Sequence, residues 1–346
     1  MEIPDSLLES RRYLAQPQES VDFGEEKWGV LFINTGGPEE IEDINQYLYS
    51  LYSDSYLTSW SLPAIFQKQL ARLQAARRAP SLTRRYRAIG GGSPLLRWTR
   101  LTAAGVKKEL SKQFPQAEVF AGMRYAEPYI NEELDAAVDE GCRHVILFPL
   151  SPQGMAITTY GSLQQVANWL EDDDSKLTVS LISSWYKRAE FINLLRSRIE
   201  DARENLVAEN PRIIFVARAF PDMARGKSGR YYKQVAETAD LAGEGFDWIL
   251  AYNQLPGLKR IAEPSLEKTV IALAADSVSE IIIAPISLTT DSLETLFNID
   301  ITLRETATAV GIKNFIRTEA LNDDPLFTQF LADLIEEKIG AKEPPE

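Results

Sequence analysis

The sequence predicts an α/β fold with two Rossmann-like domains, each a parallel sheet flanked by helices. Short apolar runs alternate with helical patterns along the chain. Such continuous runs are typical of strands that are buried on both faces, as in a parallel sheet covered by helices. The length of 346 residues exceeds what one hydrophobic core usually holds. The third indication is a repeat, because an apolar strand followed by a similar loop occurs in both halves of the chain.

The first strand is predicted at residues 28–34, where an apolar run ends at Gly36, Gly37 and Pro38. Glycine and proline interrupt regular structure, so they mark the end of the strand. The remaining predicted strands are residues 117–120, 145–148, 177–182, 213–217, 248–252 and 280–284. Helical patterns lie at residues 40–52, 106–114, 131–140 and 191–205.

Two pairs of segments have the same form. Residues 29–38 and 212–221 are each an apolar strand, a loop and a proline, whereas 144–151 and 281–288 each carry proline, an aliphatic residue and serine after a strand. We therefore predict similar domains at 28–170 and 171–338, with an N-terminal extension at 1–27 and a frayed tail at 339–346. Packing of the last helix against the first domain is an alternative to its packing within the second domain. Ligands of such sheets bind beyond the carboxyl ends of the strands.

Composition narrows the possible partners and compartment. The formal net charge of −13 disfavours nucleic-acid binding, which needs a basic face. The one cysteine, Cys142, permits no disulfide within the chain and cannot supply the roughly four thiolates of an iron–sulfur cluster. No apolar run approaches the ~18 residues of a membrane-spanning helix, and residues 1–27 lack the pattern of a signal peptide. A cytoplasmic protein is therefore expected.

Two glycine-containing loops are candidate ligand sites. The first, residues 34–38, follows a strand and precedes a helix, and the second, residues 87–94, contains three consecutive glycines. Glycine lets the backbone approach a ligand closely. A tight turn in the first loop and a flexible connection in the second are the structural alternatives. Neither segment has the lysine of a phosphate-binding P-loop.

Seven segments, in order, carry a family resemblance: residues 31–38, 86–99, 124–128, 149–162, 184–186, 263–265 and 294–300. In these segments the chain resembles the ferrochelatases, specifically the class II, single-subunit type that acts on protoporphyrin or coproporphyrin. The resemblance implies a tetrapyrrole cleft enclosed by the two domains. It also implies porphyrin or haem as partner and Fe²⁺ as substrate, with no tightly bound cofactor. Oligomeric state does not follow from it.

Both family histidine positions are substituted. Arg218 stands where the family has a histidine after alanine, and Ser292 stands where many members have a histidine after aspartate. A guanidinium neither accepts a proton nor ligates iron, so Arg218 cannot take over the imidazole's chemistry. Two roles remain open for Arg218, which are binding a porphyrin propionate and pairing with Glu294. Asp291, Ser292 and Glu294 complete the expected catalytic group, with Glu294 as the expected proton acceptor and metal contact. The only histidine, His144, is expected to be structural or to lie on the surface.

The resemblance also implies a set of substrate-binding residues. Residues 56–63 occupy the position of the family's active-site lip, where apolar side chains would cover the macrocycle or make a weak peripheral contact with a membrane. Core packing is the alternative for this segment. The expected substrate-binding residues are Tyr56, Leu57, Trp60, Arg87, Ser93, Pro94, Met155, Thr158, Thr159, Trp185 and Tyr186.

Two functions from different classes follow. The first is an enzyme, a lyase of the ferrochelatase type that inserts Fe²⁺ or another divalent metal into a porphyrin for haem biosynthesis. The second is a catalytically impaired relative that binds porphyrin or haem without turnover. The retained Glu294 favours the enzyme, and the two lost histidines favour the binding protein.

Overall fold

A computed structural model gives the structure of residues 4–8, 10, 12–14, 19–54, 64–155, 159–208, 211–219, 222–253 and 262–341, without the side chains of residues 64, 65 and 222–228. Within these residues, eight strands form two four-stranded sheets, and every strand pair is parallel. Helices flank both sheets. This confirms the predicted α/β architecture.

The first sheet has the strand order β2-β1-β3-β4. Residues Val30 to Ile33 of β1 and Val145 to Pro149 of β3 are buried, as expected for central strands of a sheet that is covered on both faces. The strands are β1 (Trp28–Asn34), β2 (Glu118–Met123), β3 (His144–Pro149) and β4 (Thr178–Leu181). The helices are α1 (Asp5–Leu8), α2 (Ile44–Ser53), α3 (Ala64–Ala88), α4 (Leu95–Leu110), α5 (Ile130–Asp139) and α6 (Gly161–Asp172), and a 3₁₀ turn covers Ile41–Asp43.

The second sheet has the order β6-β5-β7-β8. Its core includes Ile214, Val216, Ile281 and Ile283, all fully buried. The strands are β5 (Arg212–Arg218), β6 (Trp248–Asn253), β7 (Glu280–Pro285) and β8 (Asn314–Arg317). The helices are α7 (Ala189–Arg203), α8 (Asp222–Gly243), α9 (Leu266–Ala275) and α10 (Arg304–Ala309), and a π-helix covers Glu294–Leu303.

The two sheets share one topology. In each, the first strand of the sheet has the second on one side and the third on the other, so the direction of winding reverses between the first and third strands. The loops that leave these two strands therefore diverge to opposite faces, and the crevice between them is the usual ligand site of a doubly wound sheet. In the second sheet those strands are β5 and β7.

The chain divides into two compact units. The N-terminal unit contains Glu2–Leu150, Met155–Ser183 and Asn322–Glu346, and the C-terminal unit contains Ser151–Gly154 and Ser184–Leu321. Because β4 pairs with β3, the first sheet extends past residue 170, where the sequence placed the domain boundary. No helix in the described ranges is both long and apolar enough to span a membrane.

The last helix, α11 (Pro325–Lys338), belongs to the N-terminal unit and packs against α4. Thr328 lies so close to Gly105 that a Cβ at this glycine would approach its Cγ2 to 2.7 Å. Just before α11, the carbonyl of Asn322 accepts a 2.8 Å hydrogen bond from the hydroxyl of Thr102. These contacts require a small residue on α4 at the point where the helices meet.

Lys338 at the end of α11 predicts a pH-dependent stability. Its residue is 5% exposed, its Nζ donates a 2.5 Å hydrogen bond to the carbonyl of Glu19, and burial lowers its pKa to about 8. Between pH 8 and 10 the unfolded chain therefore binds a proton here that the folded chain does not, so this group makes unfolding less favourable as pH rises. Urea unfolding of wild type and Lys338→Met at pH 7.5, 8.5 and 9.5 should show wild type gaining stability relative to the variant. A difference that stays constant or falls with pH would contradict the burial of this amine.

Candidate functional site

The candidate site lies at the carboxyl edge of the second sheet. Arg218 is the last residue of β5, and Ser287 and Glu294 follow the neighbouring strand β7. The backbone N–H of Arg218 donates a 3.0 Å hydrogen bond to Ser287 Oγ, which links the two strand ends directly. The site therefore occupies the point where the winding direction of the sheet reverses, as expected for a ligand site in this topology.

Arg218 and Glu294 form an ion pair. Arg218 Nε donates to Glu294 Oε2 at 2.8 Å, and the two side chains are 15% and 13% exposed. Of the two roles left open for Arg218, the structure shows this pairing. Among the described residues, Arg218 is the one side chain that hydrogen-bonds the Glu294 carboxylate, and it contacts a single oxygen.

The loop before the π-helix is held by its own polar groups. Ser292 Oγ accepts a 3.3 Å hydrogen bond from the Glu294 N–H, and the Ser292 N–H donates to Thr295 Oγ1 at 2.9 Å. The Thr295 hydroxyl in turn has two acceptors for its one proton, Asp291 Oδ1 at 2.9 Å and the Ser292 carbonyl at 3.0 Å. Side-chain oxygens that accept from the first backbone N–H groups of a helix stabilise its start. Ser292 therefore stabilises the helix start that carries Glu294, and Asp291 contacts its first turn through the Thr295 side chain.

A second arginine, Arg317 at the end of β8, contacts both sides of this helix start. Its Nη2 lies 3.2 Å from Asp291 Oδ1 and donates to Asp300 Oδ2 at 2.8 Å. Its Nε reaches Asp300 Oδ1 and Oδ2 at 2.9 and 3.0 Å. Arg317 was not among the expected site residues, because no strand was predicted at residues 314–317 to place it at the sheet edge.

Two further groups support the β5 and β7 ends and were also missed. The Tyr231 hydroxyl donates to the Arg218 carbonyl at 3.3 Å, and burial raises the pKa of Tyr231, so the phenol remains a donor. Gln153 is fully buried, and its Nε2 donates to the Ile286 carbonyl at 3.0 Å. The glutamine therefore ties the Pro152-Gln153 segment to the loop after β7.

In the N-terminal unit, Ser93 and the first glycine loop are in contact. The Ser93 N–H donates to the Pro38 carbonyl at 2.7 Å. A Cβ at Gly37 would lie 2.5 Å from Ser93 Oγ, so the close approach requires glycine there. Pro94 is the residue before α4, and Arg87 is exposed near the end of α3. The structure thus brings the two glycine loops together at Ser93.

The remaining predicted site residues are mostly buried. Met155 and Thr159 hydrogen-bond one another, with the Met155 N–H donating to Thr159 Oγ1 at 3.2 Å. Trp185 is 2% exposed and packs edge-on against Phe191. The Tyr186 hydroxyl donates to Glu237 at 2.7 Å, and burial together with this carboxylate raises the Tyr186 pKa to about 12. Tyr56, Leu57, Trp60 and Thr158 lie outside the described residues.

Metal-binding side chains are sparse. In the described ranges, no three His, Cys, Asp or Glu side chains gather as a metal-ligand cluster, around Glu294 or elsewhere. Burial raises the pKa of Cys142 to about 11, so it is a thiol at neutral pH. His144 begins β3, at the opposite end from the strand carboxyl ends, where its Nε2 lies 2.6 Å from Glu26 and its ring stacks on Phe23. These contacts give His144 a structural role, which is one of the two alternatives expected from the sequence.

Comparison with known proteins shows the family. The sequence model of the family described as Ferrochelatase matches residues 27–339. The chain belongs to the ferrochelatase family. It is 35% identical over 325 residues to the ferrochelatase of Gloeobacter violaceus, covering 90% of this chain and 98% of that protein. The ferrochelatase of Synechococcus elongatus is 33% identical over 320 residues, covering 90% and 82%. Ferrochelatase-2, chloroplastic, of Arabidopsis thaliana is 31% identical over 334 residues, covering 92% and 65%.

Solved structures support the fold of this ferrochelatase-family chain. The sirohydrochlorin chelatase SirB from Bacillus subtilis subspecies spizizenii, in complex with cobalt, superposes with a TM-score of 0.53 at 13% identity, covering 92% of this chain and 97% of that one. SirB from Bacillus subtilis with Fe³⁺ gives a TM-score of 0.52 at 12% identity, covering 90% and 96%. At these identities the likeness bears on the fold alone.

The Arg218–Glu294 pair predicts a measurable coupling energy. Both side chains are largely buried, so removing either partner leaves a charge poorly solvated. A double-mutant cycle with Arg218→Met and Glu294→Gln should give a coupling of about 1–3 kcal/mol in urea unfolding. The pair Arg203–Glu200 is the control, since its atoms also lie 2.8 Å apart but its side chains are 31% and 54% exposed. We expect at most about 0.5 kcal/mol there. Equal coupling in the two pairs would contradict the buried ion pair.

Proposed function

We propose that this chain inserts Fe²⁺ into a porphyrin in haem biosynthesis, with a dicarboxylate or tetracarboxylate porphyrin as substrate. The observation that carries the proposal is the Glu294 carboxylate, which Arg218 holds at the switch point of the second sheet through one oxygen. Membership of the ferrochelatase family supports the reaction class. No iron–sulfur cluster is involved, because the chain has a single cysteine.

The proposed chemistry assigns proton transfer to Glu294. Metal insertion releases two pyrrolic protons from the macrocycle, and each needs an acceptor near the ring. Glu294 is the proposed acceptor for both protons in turn, taking each on Oε1 and releasing it to solvent while Oε2 stays on Arg218. Arg218 has no lone pair to accept a proton, so its role is to hold the carboxylate. Before it accepts a proton, the ionised Oε1 is also the proposed contact for the incoming Fe²⁺.

Neighbouring residues are proposed to support this step. Asp291 adds a second negative charge on the same loop but is held by Arg317 and Thr295, so we propose that it acts through the electrostatic field. Ser292 is proposed to orient Glu294 through its backbone N–H. The exposed guanidinium of Arg87 is suited to pair with a propionate in a bidentate manner. The other proposed porphyrin contacts are Tyr56, Leu57, Trp60, Ser93, Pro94, Thr158 and Tyr186. Met155, Thr159 and Trp185 are buried, so they are proposed to support the residues that line the site.

A second candidate function is porphyrin or haem binding without turnover. The ion pair that supports the enzyme also favours this alternative, because the guanidinium occupies one oxygen of the expected base. No histidine replaces the lost imidazoles, since His144 lies at the other end of its sheet. On this account, Arg218→His, alone or with Ser292→His, should raise the rate of metallation above that of wild type.

Anaerobic mixing of purified protein with Fe²⁺ and excess porphyrin separates the two functions. Protoporphyrin and coproporphyrin serve as probes, and the absorption spectrum follows the free and metallated forms. We expect many equivalents of metalloporphyrin for each protein molecule. A spectral shift that saturates at one equivalent, without further product, would contradict the enzyme and support the binding protein. No spectral change with either probe would contradict both.

Glu294→Gln tests the proposed base. Glutamine preserves the size of the side chain but cannot accept the pyrrolic proton, so turnover should fall by about 100-fold or more. Porphyrin affinity, measured by fluorescence quenching, should change little because the ring is held mainly by apolar contact. Glu305→Gln, at an exposed position on α10, is the matched control and should keep the wild-type rate. If Glu294→Gln turns over as fast as wild type, Glu294 is not the proton acceptor.

A further inference from the structure

We propose that Arg317 is a positioning residue that fixes Glu294 for metallation. The inference rests on the proposed function for its kinetic consequence and on the observed contacts for its structural one. Arg317 bridges Asp291, which precedes Glu294, and Asp300, which follows it on the same π-helix. One guanidinium therefore holds the chain on both sides of the proposed base.

The geometry of this bridge is well suited to positioning. Arg317 is 11% exposed on its side chain, and it binds Asp300 through both Nε and Nη2. Its Nη1 also donates to the Thr318 carbonyl at 3.1 Å. A planar guanidinium that makes a bidentate contact with a carboxylate fixes direction as well as distance. The position of Arg317 is itself set by β8, because Arg317 is in register with Ile283 of β7.

The contacts of Arg317 lead to Glu294 by a short route. Asp291 Oδ1 lies 3.2 Å from Arg317 Nη2 and accepts the Thr295 hydroxyl at 2.9 Å. Thr295 Oγ1 accepts the Ser292 N–H, and Ser292 Oγ accepts the Glu294 N–H. Each step is a hydrogen bond or an ion pair between neighbouring groups. Loss of Arg317 therefore releases the turn that presents Glu294.

The helix type explains why such a bridge is needed. The segment Glu294–Leu303 is a π-helix, which is rare and usually limited to a single turn. A return to α-helical hydrogen bonding would rotate successive side chains relative to one another. Glu294 would then move with respect to Arg218, which is fixed at the end of β5. By binding Asp291 and Asp300 together, Arg317 favours the wider helix over the α-helical alternative.

The chain provides a matched control in Arg304. Arg304 also contacts this region, since its Nε donates to the Asp300 carbonyl at 3.1 Å and its Nη1 to the Phe315 carbonyl at 2.6 Å. It lies 3.9 Å from the Asp300 carboxylate, and its side chain is 45% exposed. No described contact joins Arg304 to Asp291. A general weakening of the helix should appear in both arginine variants, whereas loss of positioning should appear only at Arg317.

The experiment compares Arg317→Met, Arg317→Lys and Arg304→Met in the full-length protein. The Arg218 Nε–H resonance in a ¹H–¹⁵N spectrum, assigned with Arg218→Lys, reports the hydrogen bond to Glu294 without any need for turnover. We expect this signal to be lost or shifted in Arg317→Met and unchanged in Arg304→Met. In steady-state metallation, Arg317→Met should lower kcat about 10-fold or more, with KM for porphyrin within about threefold of wild type. Arg317→Lys should recover part of kcat.

The outcomes separate this inference from the proposed function. A wild type without turnover would overturn the proposed enzyme, while loss of the Arg218 signal in Arg317→Met would still support positioning. An unchanged Arg218 signal and a kcat within twofold of wild type would overturn the inference. Equal effects of Arg304→Met and Arg317→Met would also overturn it. If Arg317→Met does not fold, Arg317→Lys and Asp300→Asn are compared with Arg304→Met instead. A wild-type Arg218 Nε–H resonance in both variants would then contradict the proposal.

Discussion

The ion pair between Arg218 and Glu294 joins the ends of two neighbouring parallel strands. Arg218 is placed by the hydrogen-bond ladder of β5, and Glu294 is placed by the segment that follows β7. The sheet fixes the separation of these strands, and Arg218 is itself the last residue of β5. No flexible loop therefore separates Arg218 from the sheet at the point where it meets Glu294. The carboxylate is then held through one oxygen at the edge where this topology binds ligands. The proposed chemistry depends on that single constraint.

The arginine at position 218 differs in its chemistry from the histidine that the family resemblance predicts there. An imidazole near neutral pH both donates and accepts protons, whereas a guanidinium only donates. Arg218 can therefore neither accept a proton nor ligate a metal, and its Nε–H group donates to the Glu294 carboxylate. Arg317, at the end of β8, likewise forms ion pairs with Asp291 and Asp300. Two arginines thus hold the acidic residues of this edge, and the proposed proton transfer falls to Glu294.

Much of the fold was predictable because it depends on local patterns. Continuous apolar runs indicated the strands, and the repeated form of residues 29–38 and 212–221 indicated two similar sheets, which the matching strand orders confirm. The pairing of Arg218 with Glu294 was one of the two roles that the sequence left open for this arginine, and the structure shows it. Arg317 was not predicted, because its contact with Asp291 depends on the register of β8 and on the π-helix. The composition of Glu294–Leu303 does not distinguish a π-helix from an α-helix.

The central claim is that Arg218 assists Glu294 by holding it, and the turnover number of Arg218→Met tests this most directly. The measurement uses saturating Fe²⁺ and porphyrin under anaerobic conditions, with unfolding curves to verify that the variant is folded. If the guanidinium positions the base, kcat should fall about tenfold or more, and the double variant Arg218→Met/Glu294→Gln should be no slower than Glu294→Gln alone. If Arg218→Met metallates porphyrin faster than wild type, the guanidinium blocks the base, and the account is contradicted.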